Sequence, residues 1–546
     1  MKVALGDYPM NLKLSRQEAK VPYRERLLGI FLILVSFSGL RAQTEKKISL
    51  SLEDCLVRAI KSNLEVAVEI INPEIARLAA AGAGEKFLPA LGLRFRRQST
   101  NQASYSWIQA SDRLTATYSE YSAGIEQLIP TGGTLSLALE STMNDSNTRF
   151  QTINPYHGST LTFDFSQPLL KDFGPKASRN EILIARNFQK ISESDFRDVL
   201  LRTIYGVDEA YWNLVYSIDS LEVRRQSLRL AQELLDKNQK EIEIGSLAPK
   251  EILSSQSEVA LRKADILNGE AMVRDNMDRL RTLINLPRED RTTEILPSDK
   301  PSFARREMSF AEALGLALEN RPDLMSARFN QRNKDLELGY ARNQLLPALN
   351  LNASFWSPGI SGTRILFLDN NPLSGIIVGK VPGGASQAFR DARNLKYKNW
   401  SVYLTLDIPF NTIFSRAAAA QAKLALEQSI RRQRHLEQQA ELEVEMALRA
   451  IRSDYEQVEA YGAARDLAEQ KLRAEEAKFK AGLSNNYFVL QYQRDLAQAR
   501  SLELRAIIDY NLSSSLLDKV LGISLKTRNI KLADLPFGFA LKEKEE

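Results

Sequence analysis

Histidine and cysteine are almost absent from this chain of 546 residues: it has two histidines, His157 and His435, and one cysteine, Cys55. A disulfide within one chain needs two cysteines, and zinc sites usually need three or four Cys or His ligands close together. A Ser-His-Asp or Cys-His enzyme would have to use an isolated histidine. We therefore expect no metal, no cofactor and no enzyme, with carboxylate pairs the one catalytic arrangement left open.

The chain also lacks a large excess of charge outside its N-terminus. Its formal net charge is +5, and residues 1–43 carry seven Lys or Arg and three acids, which is +4 of that total. The remaining chain is therefore near +1. No Gly-rich phosphate loop is present either. A nearly neutral chain without such a loop argues against a nucleic-acid partner.

Long apolar runs are missing as well, apart from residues 27–40. Fourteen residues are too few for a membrane-spanning helix, which needs about 20. Arg24 and Arg26 precede the run and a polar stretch follows it, which is the layout of a secretory signal peptide. We predict a signal peptide over 1–43 with cleavage near Gln43; a buried core helix is the alternative.

An internal repeat organises the remaining sequence. Residues 51–60 resemble 309–318, and 87–93 resemble 345–351, both at an offset of 258 residues. A constant offset over two separate segments is hard to obtain by chance, and repeats of this length usually mark a duplicated structural unit.

Later in the chain the same comparison gives a second constant offset. Gly245 matches Gly482 at 237 residues, and the segments 283–286 and 520–523 match at the same distance. The chain therefore reads as two tandem repeats, over 44–300 and 301–546. Each is predicted to contain a short helix, a longer helix, strands and a long helical hairpin, and the second ends in a C-terminal tail.

Long helices are the strongest secondary-structure signal. Residues 415–481 contain no proline and are rich in good helix formers, and 180–244 is the matching stretch of the first repeat. At ~1.5 Å per residue, the longer one predicts roughly 100 Å of helix. A narrow stripe near the 3.6-residue period runs through Ala440, Val444, Ala447, Ile451, Tyr455, Val458 and Gly462. We therefore expect close packing along a neighbouring helix. Short amphipathic helices are predicted at 52–62 and 310–320.

Alternating apolar and polar residues predict two clear strands in each repeat. They centre on 91–95 and 161–165 in the first repeat, and on 349–355 and 400–408 in the second. Transmembrane β-strands and half-buried soluble strands share this pattern, so both interpretations remain open. An extra hairpin is predicted near 122–139. The stretch 358–398 is rich in Gly, Pro and Asn and predicts a loop.

The signal peptide and the strands constrain each other. A sheet in hydrocarbon must close on itself, because unpaired edges cannot face lipid. Four strands per chain are too few, since the smallest barrels have eight. Several copies must then share one barrel. Three copies would give twelve strands, with the long helices forming a second cylinder.

The ordered motifs of both repeats resemble the TolC family of outer-membrane efflux ducts over nearly the whole mature length. No single motif is specific for this family, but the order of the motifs in two successive repeats is. They are residues 52–62, 310–320 and 319–324 at the repeat openings, 88–89 and 346–347 at the strand entries, 166–170 at a strand exit, and the helical turns 244–247 and 480–483.

The resemblance implies an α+β membrane protein. Its homotrimer would form a twelve-stranded β-barrel in outer-membrane lipid, continuous with a long α-helical barrel in the periplasm. The implied function is a passive export duct of a tripartite efflux or type I secretion system, opened by docking to a periplasmic adaptor (membrane fusion) protein and an inner-membrane pump. The pump is proton-driven or ATP-driven, and cargo and pump class stay open. The alternative is a secreted coiled-coil structural or adhesion protein.

The resemblance also assigns residues at the helical turns. Gly245 and Gly482 would reverse the long helices, and the exposed Leu247 and Leu483 would contact the adaptor. Phe479 occupies a position where the family often has an aromatic that packs the closed tip; a core aromatic is the alternative. Aperture-lining candidates are Lys250, Glu251, Asn485, Asn486 and Gln491. Solvated helix surface is the alternative for these. The stretch 484–491 lacks the acidic residues usual in the family, so a strongly acidic aperture is not expected.

Overall fold

The structure is a computed structural model that describes residues 47–104, 112–245, 248–287 and 293–530. The predicted signal peptide lies outside these residues. The chain divides into two units. The small unit comprises Met1–Ser49 and Pro287–Leu296. Its described part contains most of a two-stranded sheet of β1 (Lys47–Leu50) and β6 (Glu294–Pro297).

The large unit contains all other described elements. In the first half these are α1 (Leu52–Ser62), α2 (Leu64–Glu69), α3 (Ile71–Gly82), β2 (Ala90–Ala103), β3 (Arg113–Leu128), β4 (Thr134–Ser146), β5 (Ile153–Pro168), α4 (Pro175–Ser178), α5 (Asn180–Glu243) and α6 (Glu251–Leu283). In the second half they are α7 (Phe310–Asn320), α8 (Pro322–Asn343), β7 (Ala348–Phe367), β8 (Ile377–Val381), α9 (Ala385–Arg393), β9 (Asn399–Asp407), α10 (Ile413–Lys480), α11 (Asn486–Val520) and α12 (Ser524–Thr527).

The short opening helices α1 and α7 occupy the predicted ranges. Each begins after a serine whose hydroxyl accepts a backbone N–H of the first turn, Ser51 from Asp54 at 3.1 Å and Ser309 from Glu312 at 3.2 Å. Serine at the N-cap with an acidic residue three positions later satisfies the unpaired donors at a helix start. The order of elements after these helices is similar in both halves. The repeat boundaries themselves stay a prediction.

The long helices are confirmed. α5 has 64 residues and α10 has 68, close to the predicted 180–244 and 415–481. The predicted stripe of α10 is buried: Val444, Ala447, Ile451 and Val458 belong to one apolar cluster with α7 and α11. Small residues in this stripe let the helices approach closely, so the helices pack along their length as expected.

The sheet of the large unit has more strands than predicted. Its order is β2-β3-β4-β5-β7, with β9 pairing the first part of β7 and β8 the last part, and every adjacent pair is antiparallel. Six of these strands have nine or more residues. The expectation of four strands per chain is therefore wrong, whereas the number of strands in a closed barrel stays a prediction.

The extra strands come from the hairpin expected near 122–139, which extends over β3 and β4 and lies inside the sheet between β2 and β5. Its alternation is weak because Ala123 and several Ser and Thr residues dilute the apolar face. The loop expected over 358–398 is also wrong, since it holds the end of β7, β8 and α9.

Paired residues give the sheet one apolar and one polar face. Residues directly opposite each other in a ladder point to the same side. We define the apolar face by the row Leu91, Ile125, Leu137, Phe163, Phe355 and Trp400, and the polar face by the row Glu126, Ser136, Asp164, Ser354 and Ser401. All six long strands contribute to the apolar row, and Trp400 is 73% exposed.

Candidate channel wall and helical turns

Glycines end both long helices at their C-termini. Gly245 has φ +77° and Gly482 has φ +72°. At the second turn the N–H of Leu483 donates to the Lys478 carbonyl at 2.9 Å, and the N–H of Gly482 donates to the Phe479 carbonyl at 3.1 Å. These two bonds form a Schellman motif, which requires a left-handed residue after the helix. No atom lies within 4 Å of a Cβ built on either glycine, so a larger side chain would fit. Glycine is therefore required by the positive φ angle and not by a lack of space.

The predicted adaptor-contact residues lie at these turns. Leu483 follows Gly482 and is 80% exposed. Leu247 lies outside the described residues. Adaptor contact by either leucine stays a prediction.

The aperture-lining candidates fall into different environments. Lys250 is exposed, and Asn485 caps α11 by accepting the Phe488 N–H at 3.3 Å. Glu251 begins α6, and its side chain is outside the described part. Gln491 is half-buried. Their role as a lining stays a prediction.

Asn486, the fifth candidate, is 1% exposed, so in this chain it presents almost no surface to an aperture. Its Nδ2 donates to the Ser255 hydroxyl at 2.9 Å, and Asn238 donates to the same hydroxyl at 2.8 Å. Within the described residues, the side-chain oxygens of both asparagines have no hydrogen-bond partner. A buried polar group without a partner costs about 1–3 kcal/mol, so this cluster is only partly satisfied.

Glu258 makes a second polar link between α6 and α11. Its side chain is buried and lies 2.8 Å from Arg262 on its own helix and 3.4 Å from Arg494 on α11. No motif in the sequence singles out Asn238, Ser255, Glu258 or Arg494. What marks these residues is that they are polar and lie on the buried face of a helix. The buried face is known only from the packing of the helices, so the sequence alone could not indicate them.

Phe479 packs at the turn end of both hairpins. It lies against an apolar cluster from α5, α10 and α11 that comprises Leu234, Leu472, Val489, Leu490 and Leu496. The Lys237 ammonium lies 4.4 Å from the centre of its ring, a distance at which cation–π attraction operates. Its packing at a closed channel tip stays a prediction.

Two sets of ion pairs stabilise the long helices at positions further from the turns. Arg321, which precedes α8, lies 2.8 Å from Asp323 and 2.5 Å from Glu443 on α10. Burial opposes its charge, but these carboxylates raise the pKa of Arg321 above its ordinary value. Asp208 on α5 lies 3.0 Å from Arg528, yet burial raises the pKa of its carboxyl. Both sets fix the long helices against other elements of the same unit.

The polar face of the sheet is internally hydrogen-bonded. Ser354 donates to the Asp164 carboxylate at 2.6 Å, and Ser136 lies 3.4 Å from the same group. Ser166 and Asn352 approach to 2.9 Å on the same face. Water-compatible side chains on one face and apolar chains on the other are the arrangement of a transmembrane β-sheet with a polar lumen.

Among the described residues, no helix is long and apolar enough to cross a bilayer. In the same part of the chain, no group of three or more His, Cys, Asp and Glu side chains is arranged to hold a metal ion.

The sequence model of the "Outer membrane efflux protein" family matches residues 133–286 and 313–523, which is more than half of the chain. The chain belongs to the outer membrane efflux protein family. This is a family of channel proteins and not of enzymes.

Two characterised relatives are similar over most of their length. Nodulation protein T of Rhizobium leguminosarum bv. trifolii is 23% identical over 371 residues, which cover 67% of this chain and 72% of that protein. The alkaline protease secretion protein AprF of Pseudomonas aeruginosa is 24% identical over 376 residues, 66% of this chain and 69% of AprF.

Solved channel structures share the fold. The CmeC outer membrane channel of Campylobacter jejuni has a TM-score of 0.58 at 14% identity, over 96% of this chain and 98% of CmeC. The outer-membrane channel OprN has a TM-score of 0.62 at 15% identity, over 86% and 89%. The open MtrE channel of Neisseria gonorrhoeae has a TM-score of 0.58 at 18% identity, over 86% and 89%. The family member described here therefore has the fold of TolC-like outer-membrane channels.

Proposed function

We propose that this efflux-family protein is a passive export duct that acts as a homotrimer in the outer membrane. The observation that carries the proposal is the six-strand apolar row of the sheet, from Leu91 to Trp400. A secreted chain gains nothing by exposing such a face to water, whereas lipid covers it. The long helical hairpins then extend the channel through the periplasm.

A secreted coiled-coil or adhesion protein is the second candidate. It would account for the long helices, since α5 packs along α6 and α10 packs along α11. It gives no reason for a sheet with one apolar and one polar face. The duct accounts for both, so we favour the duct.

Docking partners are proposed to be a periplasmic adaptor protein and, behind it, an inner-membrane pump. The exposed Leu483, next to the left-handed Gly482, is a suitable apolar anchor for a partner protein. In the first hairpin the left-handed Gly245 ends the long helix, and Leu247, two positions later in the sequence, is the matching candidate. AprF is a secretion protein and the family is one of efflux proteins, so both pump classes are candidates.

Opening is proposed to be a movement of the turn ends of the two hairpins relative to each other. Two polar links join α6 to α11 near these ends, Glu258 with Arg494 and Ser255 with Asn486. Such links must lengthen or exchange when the hairpins separate. Lys250, Glu251, Asn485 and Gln491 are proposed to line the aperture that then widens.

Photo-crosslinking in living cells tests the docking proposal. A photo-reactive amino acid replaces Leu483 or Leu247, and captured proteins are identified by mass spectrometry. Leu442, an exposed leucine within α10, serves as the matched control. We expect one periplasmic adaptor at both turn positions and none at 442. Equal capture at all three positions would remove the turns as the docking site.

Membrane fractionation tests the duct itself. We expect the protein in the outer membrane as an oligomer that dissociates on heating in detergent, and conductance in planar bilayers. Abundant soluble monomer in the periplasm would overturn the proposal.

A further inference from the structure

The hairpin of β3 and β4 presents its apolar residues on the same side as the rest of the sheet. Leu93, Ala123, Leu139 and Leu161 are directly opposed in successive strands. One row nearer the start of β2, Leu91, Ile125, Leu137 and Phe163 are opposed in the same way. The hairpin therefore continues the apolar face between β2 and β5 without interruption.

This apolar band shifts along the strands in two steps: β2 and β3 centre on one row, β4 and β5 centre two residues from it, and β7 and β9 centre three residues further on. In β2 it comprises Leu91, Leu93 and Phe95, so its centre is Leu93, whose row reaches Ser357 on β7. In β7 and β9 the apolar residues instead centre on the paired positions Asn352 and Tyr403, five residues from Ser357 along β7. The hairpin makes the first of these steps, because its band centres on Ala123 in β3, in the row of Leu93, and on Leu137 in β4, two residues away along the strand.

The shift has the size that tilted membrane strands require. A lipid layer cuts each strand at the same height, so tilted strands meet it at a position that moves along the strand from one neighbour to the next. Five residues over the five steps from β2 to β9 is about one residue per step, or about 3.3 Å along the strand for every ~4.8 Å across the sheet. The corresponding tilt is about 35°, within the 35–45° typical of closed barrels.

The other face of the hairpin suits a water-filled lumen. Ser122 of β3 and Glu140 of β4 oppose each other, with Arg94 of β2 and Thr160 of β5 continuing the row. A carboxylate facing lipid would be costly, so this side must meet water. The apolar face of β3 and β4 therefore suits contact with lipid, and the polar face suits contact with water, as a barrel wall requires.

We propose that β3 and β4 are transmembrane wall strands, so that each chain contributes six strands and three copies close an 18-stranded barrel. This inference rests on the proposed trimeric duct. β2 pairs only with β3, and β9 only with β7, among the described strands, so each chain leaves two edges for neighbouring copies. Edges in lipid must be paired, and pairing β2 of one copy with β9 of the next closes the ring.

The strand number sets the width of the pore. Barrel diameter grows roughly linearly with strand number, so 18 strands give a diameter about 1.5 times that of twelve. Barrels of 16–18 strands leave an aqueous channel, because side chains from opposite walls do not meet. The membrane part of this duct would therefore admit bulkier hydrated cargo than a twelve-stranded barrel.

Spin labels at single cysteines test whether β3 is in the wall. In a Cys55→Ala background, the variants Tyr121→Cys and Ala123→Cys label the apolar face, and Glu120→Cys and Ser122→Cys label the polar face. The trimer is reconstituted in vesicles and exposed to oxygen, which partitions into lipid, or to a water-soluble nickel chelate. We expect oxygen to dominate at 121 and 123, and the nickel chelate to dominate at 120 and 122.

Reference labels on β5 separate failure of this inference from failure of the duct. Leu161→Cys and Thr162→Cys lie on opposite faces of β5, which the proposed duct places in the wall with or without the hairpin. If 161 is lipid-exposed but all four β3 positions meet water, the hairpin is outside the wall and the 18-stranded barrel is wrong. If 161 also meets water, the proposed duct fails. An electron-microscopy map of the trimer in nanodiscs then gives the strand count directly.

Discussion

The left-handed backbone conformation of one glycine ends each long helix before the chain reverses. Gly482 combines φ +72° with a Schellman motif, and the empty space around it shows that only conformation selects glycine. A left-handed conformation costs a non-glycine residue about 1–2 kcal/mol. We therefore expect Gly482→Ala to destabilise the protein by about 1 kcal/mol, measured as a lower thermal midpoint of the purified oligomer.

Gly462 is the matched control for that substitution. It lies inside α10 with ordinary helical geometry, and a Cβ there would meet only the Glu503 carboxylate at 3.6 Å. Alanine is favoured over glycine in a helix interior by about 1 kcal/mol. Gly462→Ala should therefore raise the midpoint. A fall of the same size in both variants would show that the turn conformation is not the cause.

Buried carboxyls make stability depend on pH. Burial raises the folded-state pKa of Asp208, and also those of Asp195 and Asp454 on the long helices. A raised acid pKa means that the folded state binds the proton more tightly, so stability is greatest at low pH and falls as the pH rises through the folded-state pKa. The thermal midpoint of wild type should therefore rise as the pH falls from 7 towards the ordinary Asp range.

Asp208→Asn should reduce this pH dependence without abolishing it, because Asp195, Asp454 and Asp219, whose pKa burial also raises, remain. Arg528 loses its partner but is partly exposed, which limits the added cost. Thermal midpoints of both proteins between pH 7.5 and pH 4.5 give the two slopes. If the thermal midpoints of the two proteins change equally with pH, Asp208 does not contribute to the pH dependence of stability.

At the scale of elements, the links between the hairpins set how firmly the turn ends hold together. Glu258→Gln removes the buried charge that Arg494 meets, and Arg262 keeps a hydrogen-bonding partner on its own helix. A link of about 1 kcal/mol corresponds to roughly a fivefold change in an open-to-closed ratio. We therefore expect greater open probability in planar bilayers. Arg473→Ala, which breaks an exposed pair within α10, is the control and should leave gating unchanged.

Helices could be predicted from the sequence better than strands could. α5 and α10 are rich in helix-forming residues over more than 60 positions, so local pattern and final structure agree. The β3–β4 hairpin has a short apolar face diluted by small polar residues, and its pairing partners decide its place. The Asn486–Ser255 contact joins residues 231 positions apart, which no local pattern encodes.

At the scale of the whole molecule, the sheet is complete only when copies share it. The apolar band shifts by an average of about one residue per strand. A step of that average size across the edge between copies brings Leu93 of one copy near Leu404 of the next. In a Cys55→Ala background, the double variant Leu93→Cys, Leu404→Cys should therefore form covalent dimers and trimers on oxidation. Each single variant should stay monomeric on denaturing gels. Within one chain these positions lie on opposite edges of the sheet, so an intramolecular disulfide with no covalent oligomer would contradict closure by neighbouring copies.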